Sequence, residues 1–365
     1  MDFLIKVLVF LVGFIAVAMT IFSALSTFVL TRAARSQLNR IVFGMMRRIF
    51  EFILKFTGSY EQRDQIMAYY SPISLIMLVP AWYALIMLGY AAMYWSLGVG
   101  DCFADIRYSG SSLLTLGFAT SDVPIVTILS FSEALIGLIM VALLMAYLPT
   151  MYAAFSRREQ AVSMLEVRAG NPPSALEMLL RFNRIHGLDK LSDYWRTWEA
   201  WFADIEESHT TLPALVFFRS PRSDNSWVTA AGAILDAASI TQSAVDIPAD
   251  ASASLSIRAG YLALRRIADY FDLPNPQNPQ YPTDPISIRR EEFDELLGRL
   301  DKAGVPLKSD RDQAWKDFAG WRVNYDRVLL VLCTLVMAPQ APWSSDRAPK
   351  FKLPPMFIFK KKKLL

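Results

Sequence analysis

The chain is poor in the residues that carry most enzyme and metal chemistry. Its 365 residues include two cysteines, Cys102 and Cys333, and two histidines, His186 and His209. Two thiols cannot make a disulfide framework, and neither sits in a spacing that binds zinc or an iron–sulfur cluster. Neither histidine belongs to a serine or cysteine nucleophile motif, so enzymatic activity is not expected. Asp204, Glu206 and Glu207 gather near His209, but one imidazole among irregularly spaced carboxylates is a poor metal site. Charge of one sign is also scarce: 37 basic against 34 acidic residues give a net charge of +3, with no basic stripe, which argues against a nucleic-acid partner. No Gly-x-Gly-x-x-Gly follows a strand pattern and no EF-hand loop occurs, so no nucleotide cofactor or calcium site is implied.

Hydrophobic residues are plentiful instead. They make up 53% of the chain, above the usual soluble share of about 45–50%. Three runs are long enough to cross a hydrocarbon core, which takes about 20 apolar residues. They are Phe3 to Leu30, Ile73 to Leu97, and Ile125 to about Tyr147. Arg32, Arg35, Arg40, Arg47, Arg48, Lys55 and Arg63 follow the first run, so that connection is expected in the cytoplasm. The N-terminus is then outside and everything after Ser156 inside, in a multi-pass protein of the cell membrane. The first run is too long for a signal peptide and its basic cluster follows rather than precedes it, which favours a retained helix. The stretch FGMMRRIFEFILKF mixes apolar and charged groups at helical spacing and fits the inner leaflet, with anionic lipid as a partner.

The expected fold is an all-α membrane protein with an all-helical cytoplasmic domain. Four segments are expected: residues 1–70, a first spanning helix and basic connection; 71–155, two spans and the loop between them; 156–347, a helical domain; and 348–365, a basic tail. Within the helical domain, one long helix is expected from Asp310 to Met337, and in the third span Pro149 is expected to kink or end the helix. Arg219 and Arg222, just before a helix start at Trp227, are a candidate anion site. Asp101 and Asp105 lie where they could concentrate cations outside.

The loop between the second and third spans holds LLTLGFATSD, residues 113–122, after the small residues Ser109 to Ser112. Non-helical backbone at membrane depth is tolerated where protein buries it or where it lines a watery cavity. Thr115-Leu116-Gly117-Phe118-Ala119 resembles the Thr-x-Gly-Tyr/Phe-Gly selectivity filter of the bacterial potassium-channel-like, pore-loop cation channels. The resemblance covers roughly residues 71–155. It implies a helix, a pore helix, a filter and an inner helix; a homotetramer; and K+ as the permeant ion with no cofactor. It also implies that the carbonyls of Thr115, Leu116, Gly117 and Phe118 face the axis. Asp122 would sit at the pore mouth, displaced from the family's usual position by Thr120 and Ser121. Glu133 would support the filter from behind, and Gly137 would be an inner-helix hinge or a packing residue. Ala119 stands where the family has its second glycine. Two other expectations stay open: a weakly selective cation channel, and a membrane-anchored sensor or scaffold whose loop does not conduct. The gating ligand is not legible.

Overall fold

A computed structural model of the chain describes residues 2–28, 37–248 and 250–348. Arg32, Arg35 and the basic tail lie outside these. Among the described residues the protein is all-helical, with one isolated bridge between Val245 and Leu307. Three helices are long and apolar enough to cross a membrane. The chain forms two units: Met1–Lys55 with Tyr69–Ala153, and Phe56–Ala68 with Ala154–Leu365. The stretch 1–70, expected as a segment of its own, is therefore divided between them.

In the first unit, α1 (Asp2–Phe28) lies along α4 (Tyr70–Leu97). Their backbones come so close that a Cβ on Gly13 would stand 2.5 Å from the Gly89 carbonyl oxygen. Small residues at such a crossing are how apolar helices gain packing when lipid offers no hydrophobic drive. Trp82 closes the seam toward the C-terminal end of α1, its indole N–H donating to Ser23 Oγ at 3.2 Å and its ring 5.1 Å from that of Phe28. The amphipathic α2 (Gln37–Leu54) packs against the start of α4. At its other end α4 stops at Gly98, whose left-handed φ of 76° lets its N–H cap the Trp95 carbonyl. Tyr70 and Tyr94, near the two ends of α4, are fully buried.

The short helix of the loop between the second and third spans, α5 (Cys102–Leu113), begins well before Ser109, because the Asp101 carboxylate accepts from the Ala104 N–H and caps it. The last apolar helix, α6 (Pro124–Ala169), has 46 residues and continues past Pro149. Of the kink or end expected at Pro149, the end does not occur. Proline removes one ladder bond, and a long helix with good bonds on both sides tolerates the loss at a cost of about 3 kcal/mol.

In the second unit, α3 (Tyr60–Ala68) and the end of α6 join α7 (Ala175–Arg184), α8 (Leu191–Thr211), α9 (Trp227–Ala244) and α10 (Ala251–Tyr270). Three more follow: α11 (Arg290–Lys302), α12 (Arg311–Arg322) and α13 (Asp326–Val336). Helix α9 is buried on every side, as its Ala-rich, nearly uncharged sequence allows, and so forms the centre of this unit. Its one charge, Asp236, belongs to a closed polar network. Arg322 donates to Asp236, to Asp326 at 2.7 Å and to the Trp343 carbonyl at 2.7 Å. Tyr325 donates to Asp236 at 2.9 Å, and Ser287 donates twice to Asp326. Burial alone would lower the affinity of Arg322 for its proton; the two carboxylates more than reverse this and hold it charged. The network also explains a break. The single helix expected over Asp310 to Met337 is split at Val323 to Tyr325, which brings Arg322, Tyr325 and Asp326 inward together.

Candidate functional site

The loop after α5 does not wander; it is tied back to α5 at one residue. The Leu116 N–H donates to the Ser111 carbonyl at 2.8 Å and the Gly117 N–H to the same oxygen at 3.3 Å. The Ala119 N–H donates to Ser111 Oγ at 3.0 Å. In a planar trans peptide the N–H and the preceding C=O point in opposite directions. The carbonyls of Thr115, Leu116 and Phe118 are thereby turned away from α5. Among the described residues none of the carbonyls from Thr115 to Ala119 accepts a hydrogen bond. Leu116 and Phe118 are 61% and 57% exposed in the single chain. Carbonyls left unclaimed, with their own amides held from behind, are groups that could ligate a cation.

The backbone takes this course through two left-handed residues, Gly117 at φ 73° and Thr115 at φ 55°. Glycine adopts that region freely, whereas a β-branched residue is strained in it by about 1–2 kcal/mol. Ala119 is not among the positive-φ residues. The left-handed strain therefore falls on Thr115 and not on Ala119. Asp122 is exposed beyond the loop, where Thr127 Oγ1 bonds the Ser121 carbonyl at 2.8 Å and fixes the turn into α6. Asp101 is exposed but engaged as the α5 cap, and Asp105 is buried, so the expected pair of cation-gathering entrance charges is not displayed.

Behind the loop, α5 is fastened to α4 and α6 through hydroxyls. Glu133 of α6 is fully buried and accepts from Tyr94 of α4 at 2.9 Å and from Ser109 of α5. Ser112 meets Ser130 at 2.8 Å, and Tyr90 meets Ser132 at 2.8 Å. One turn further along α6, the Gly137 carbonyl accepts from Tyr83 at 2.7 Å. A Cβ on Gly137 would fall 2.2 Å from the Leu113 carbonyl oxygen. Gly137 is thus where α6 touches the end of α5. Its smallness serves that contact, in a helix that is unbroken at this point.

Sequence reasoning placed Glu133 behind the loop but did not name Tyr94 and Ser109 as its partners. The signal was the run Ser109-Gly-Ser-Ser112: four small residues, three of them hydroxylic, inside an apolar unit need acceptors, and tyrosines at 83, 90 and 94 recur on one face of α4. Replacing Glu133 by Leu should leave the Tyr94 hydroxyl buried and unpaired, at about 1–3 kcal/mol, and leave Ser109 with the Met87 carbonyl, at 3.1 Å, as its acceptor. The detergent-solubilised Glu133→Leu protein is expected to melt well below wild type, and Glu133→Gln, which keeps an acceptor, to lie between them. Equal melting of Leu and wild type would discard this account of Glu133.

The other candidates are not gathered near the loop. Arg219 donates to Asp64 and to the carbonyls of Val336, at 2.8 Å, and Met337. Arg222 binds both oxygens of Glu166 at 2.9 Å and also Asp224. Both guanidiniums are spent on internal partners, which corrects the expectation of an anion site. His209 is buried against Trp227, and burial and then the neighbouring Arg158 push its pKa well below the ordinary value. Asp204 pairs with Arg157 and Glu206 with Arg266. Among the described residues no cluster of His, Cys, Asp or Glu could hold a metal ion. Arg158 belongs to no motif legible in the sequence. It is fully buried, donating to Glu159 at 2.8 Å, Leu215 O at 2.8 Å and Phe218 O at 2.7 Å, and so anchors the end of α6 in the helical unit. Compared with known proteins, the chain matches no family model, no curated protein and no solved structure.

Proposed function

We propose that the chain is one subunit of a cation channel, in which several copies bring the Thr115–Ala119 strands together around an axis. The observation that carries this reading is the direction of the Thr115, Leu116 and Phe118 carbonyls, set by amides tied to Ser111. One strand cannot surround an ion, so a closed rotational oligomer is required. Four copies are proposed, from the resemblance of the loop to potassium-channel filters. The basic residues after the first span orient the N-terminus outside and the helical unit in the cytoplasm, in a cell membrane, where that unit regulates or assembles the pore. The decisive experiment is ion flux in liposomes carrying purified protein, together with its mass in native lipid. Absence of flux, with monomers only, would favour a membrane-anchored sensor.

Ala119 favours a second form of the same reading, a channel of weak selectivity. A filter that alternates backbone conformations needs a left-handed residue at its outer end, and Ala119 does not adopt one. The outermost ion position then loses its geometry while Thr115 to Gly117 keep the inner ones. Ala119→Gly is expected to move the reversal potential, under opposed K+ and Na+ gradients, toward the potassium equilibrium potential. A wild-type channel already strongly potassium-selective, with Ala119→Gly unchanged, would refute this account of Ala119.

A further inference from the structure

We infer that α2 lies in the inner membrane surface and that its outward face binds the headgroups and upper acyl chains of anionic lipids. The inference rests on the spanning helices and not on conduction.

Three observations converge on it. First, α2 is fixed at the ends of two spans. Asn39, in its first turn, donates to Thr27 in the last turn of α1 at 2.7 Å. Further along, Phe43 and Phe50 both pack on Tyr70, the first residue of α4, at ring separations of 6.2 and 5.7 Å, and the Tyr70 hydroxyl donates to the Phe43 carbonyl. The Arg47 guanidinium stacks 5.6 Å over the same ring while pairing with Glu51 at 2.9 Å. Two turns of α2 thus rest on one terminal residue of α4, so α2 crosses the end of that span rather than continuing beside it. An 18-residue helix in that place extends about 27 Å along the boundary of the apolar region.

Second, its other face is apolar. Ile41 is 62% exposed, Met45 49%, Ile49 45% and Phe52 59%, and they recur at three- and four-residue steps on one stripe. An aqueous protein surface does not present such a stripe without something to cover it.

Third, cations predominate on this side. Arg48 and Lys55 are exposed along one edge of the stripe, Lys55 with its ammonium 5.9 Å over the Phe52 ring, while the half-exposed Glu51 is paired with the buried Arg47. Apolar centre and cationic edge are what the boundary of an anionic leaflet complements, with each cation near the surface adding about 1 kcal/mol.

The test uses the full chain with Cys102→Ser, since Cys333 is buried and does not compete for a thiol reagent. Ile49→Cys is labelled with an environment-sensitive fluorophore and reconstituted into vesicles of phosphatidylcholine and phosphatidylglycerol. Lipids spin-labelled near the headgroup should quench the label strongly, those labelled near the chain end weakly, and aqueous iodide little. Spin-labelled phosphatidylglycerol should quench better than its phosphatidylcholine counterpart, and Arg48→Gln with Lys55→Gln should reduce that preference by roughly 5-fold per cation removed. Quenching by iodide alone would show a solvated face. Resistance to both lipid and iodide would show a face covered by protein, a second copy included. Either result overturns the proposal, and lipid quenching that ignores headgroup charge overturns its anionic part.

Discussion

Gly137→Ala, a change of one methyl group, is expected to abolish ion flux in proteoliposomes and to lower the melting temperature of the solubilised protein. The added carbon would sit 2.2 Å from the Leu113 carbonyl oxygen, a distance no van der Waals pair tolerates. The obstacle is backbone, so no rotamer change relieves it. Overpacking typically costs about 1–3 kcal/mol, and relief here requires α5 to move away from α6. Since Ser111 of α5 holds the amides of Leu116, Gly117 and Ala119, the loop would move with it. The two measurements together separate the roles considered for this residue. A hinge would lose function and keep its melting temperature; a packing contact loses both. Unchanged melting would remove the packing account.

Arg322→Met should strongly destabilise the helical unit. The guanidinium is fully buried between Asp236 and Asp326 and also binds the Trp343 carbonyl. Removing one partner of a buried ion pair costs about 3–5 kcal/mol, because a charge is left without compensation. Here two carboxylates would be stranded. The full chain in detergent is expected to lose the cooperative melting of its helical unit, monitored by circular dichroism, at temperatures where wild type is folded. Arg322→Met combined with Asp236→Asn should recover part of the loss, since asparagine carries no charge and still accepts from Tyr325. A double variant no better than the single one would show that the network is held by something other than charge balance.

How much of this was legible in the sequence depended on whether the cause was local. The spans were, because each is an uninterrupted apolar run, and the loop at 114–119 was, because its composition suits neither helix nor solvated turn. The extent of α5 was not: Asp101 to Arg107 has the charge of an outer loop, and only the Asp101 cap reveals a helix start. The left-handed turn at Thr115 ran against residue preference, and bonds from Ser111 impose it. The split between α12 and α13 was invisible because apolar spacing continues across it; the cause is Asp236, on another helix. Arg219 was misassigned for the same reason. Its carboxylate partner, Asp64, lies 155 positions away in the chain.

The seam between α1 and α4 has a consequence for how the protein could be controlled from outside. Gly13 and Gly89 let the two backbones nearly touch, and Ser23 and Trp82 add a polar latch at one level of the seam. Without α1, α4 would present a shallow trough shaped for a helix, with a hydroxyl-seeking indole at one end. Such a trough is a receptor. A synthetic hydrophobic peptide carrying the α1 sequence should dock into a truncated chain and restore its stability. The same peptide with leucine at position 13 should not. Designed membrane peptides could then act as keys for this protein, on a surface separate from the loop.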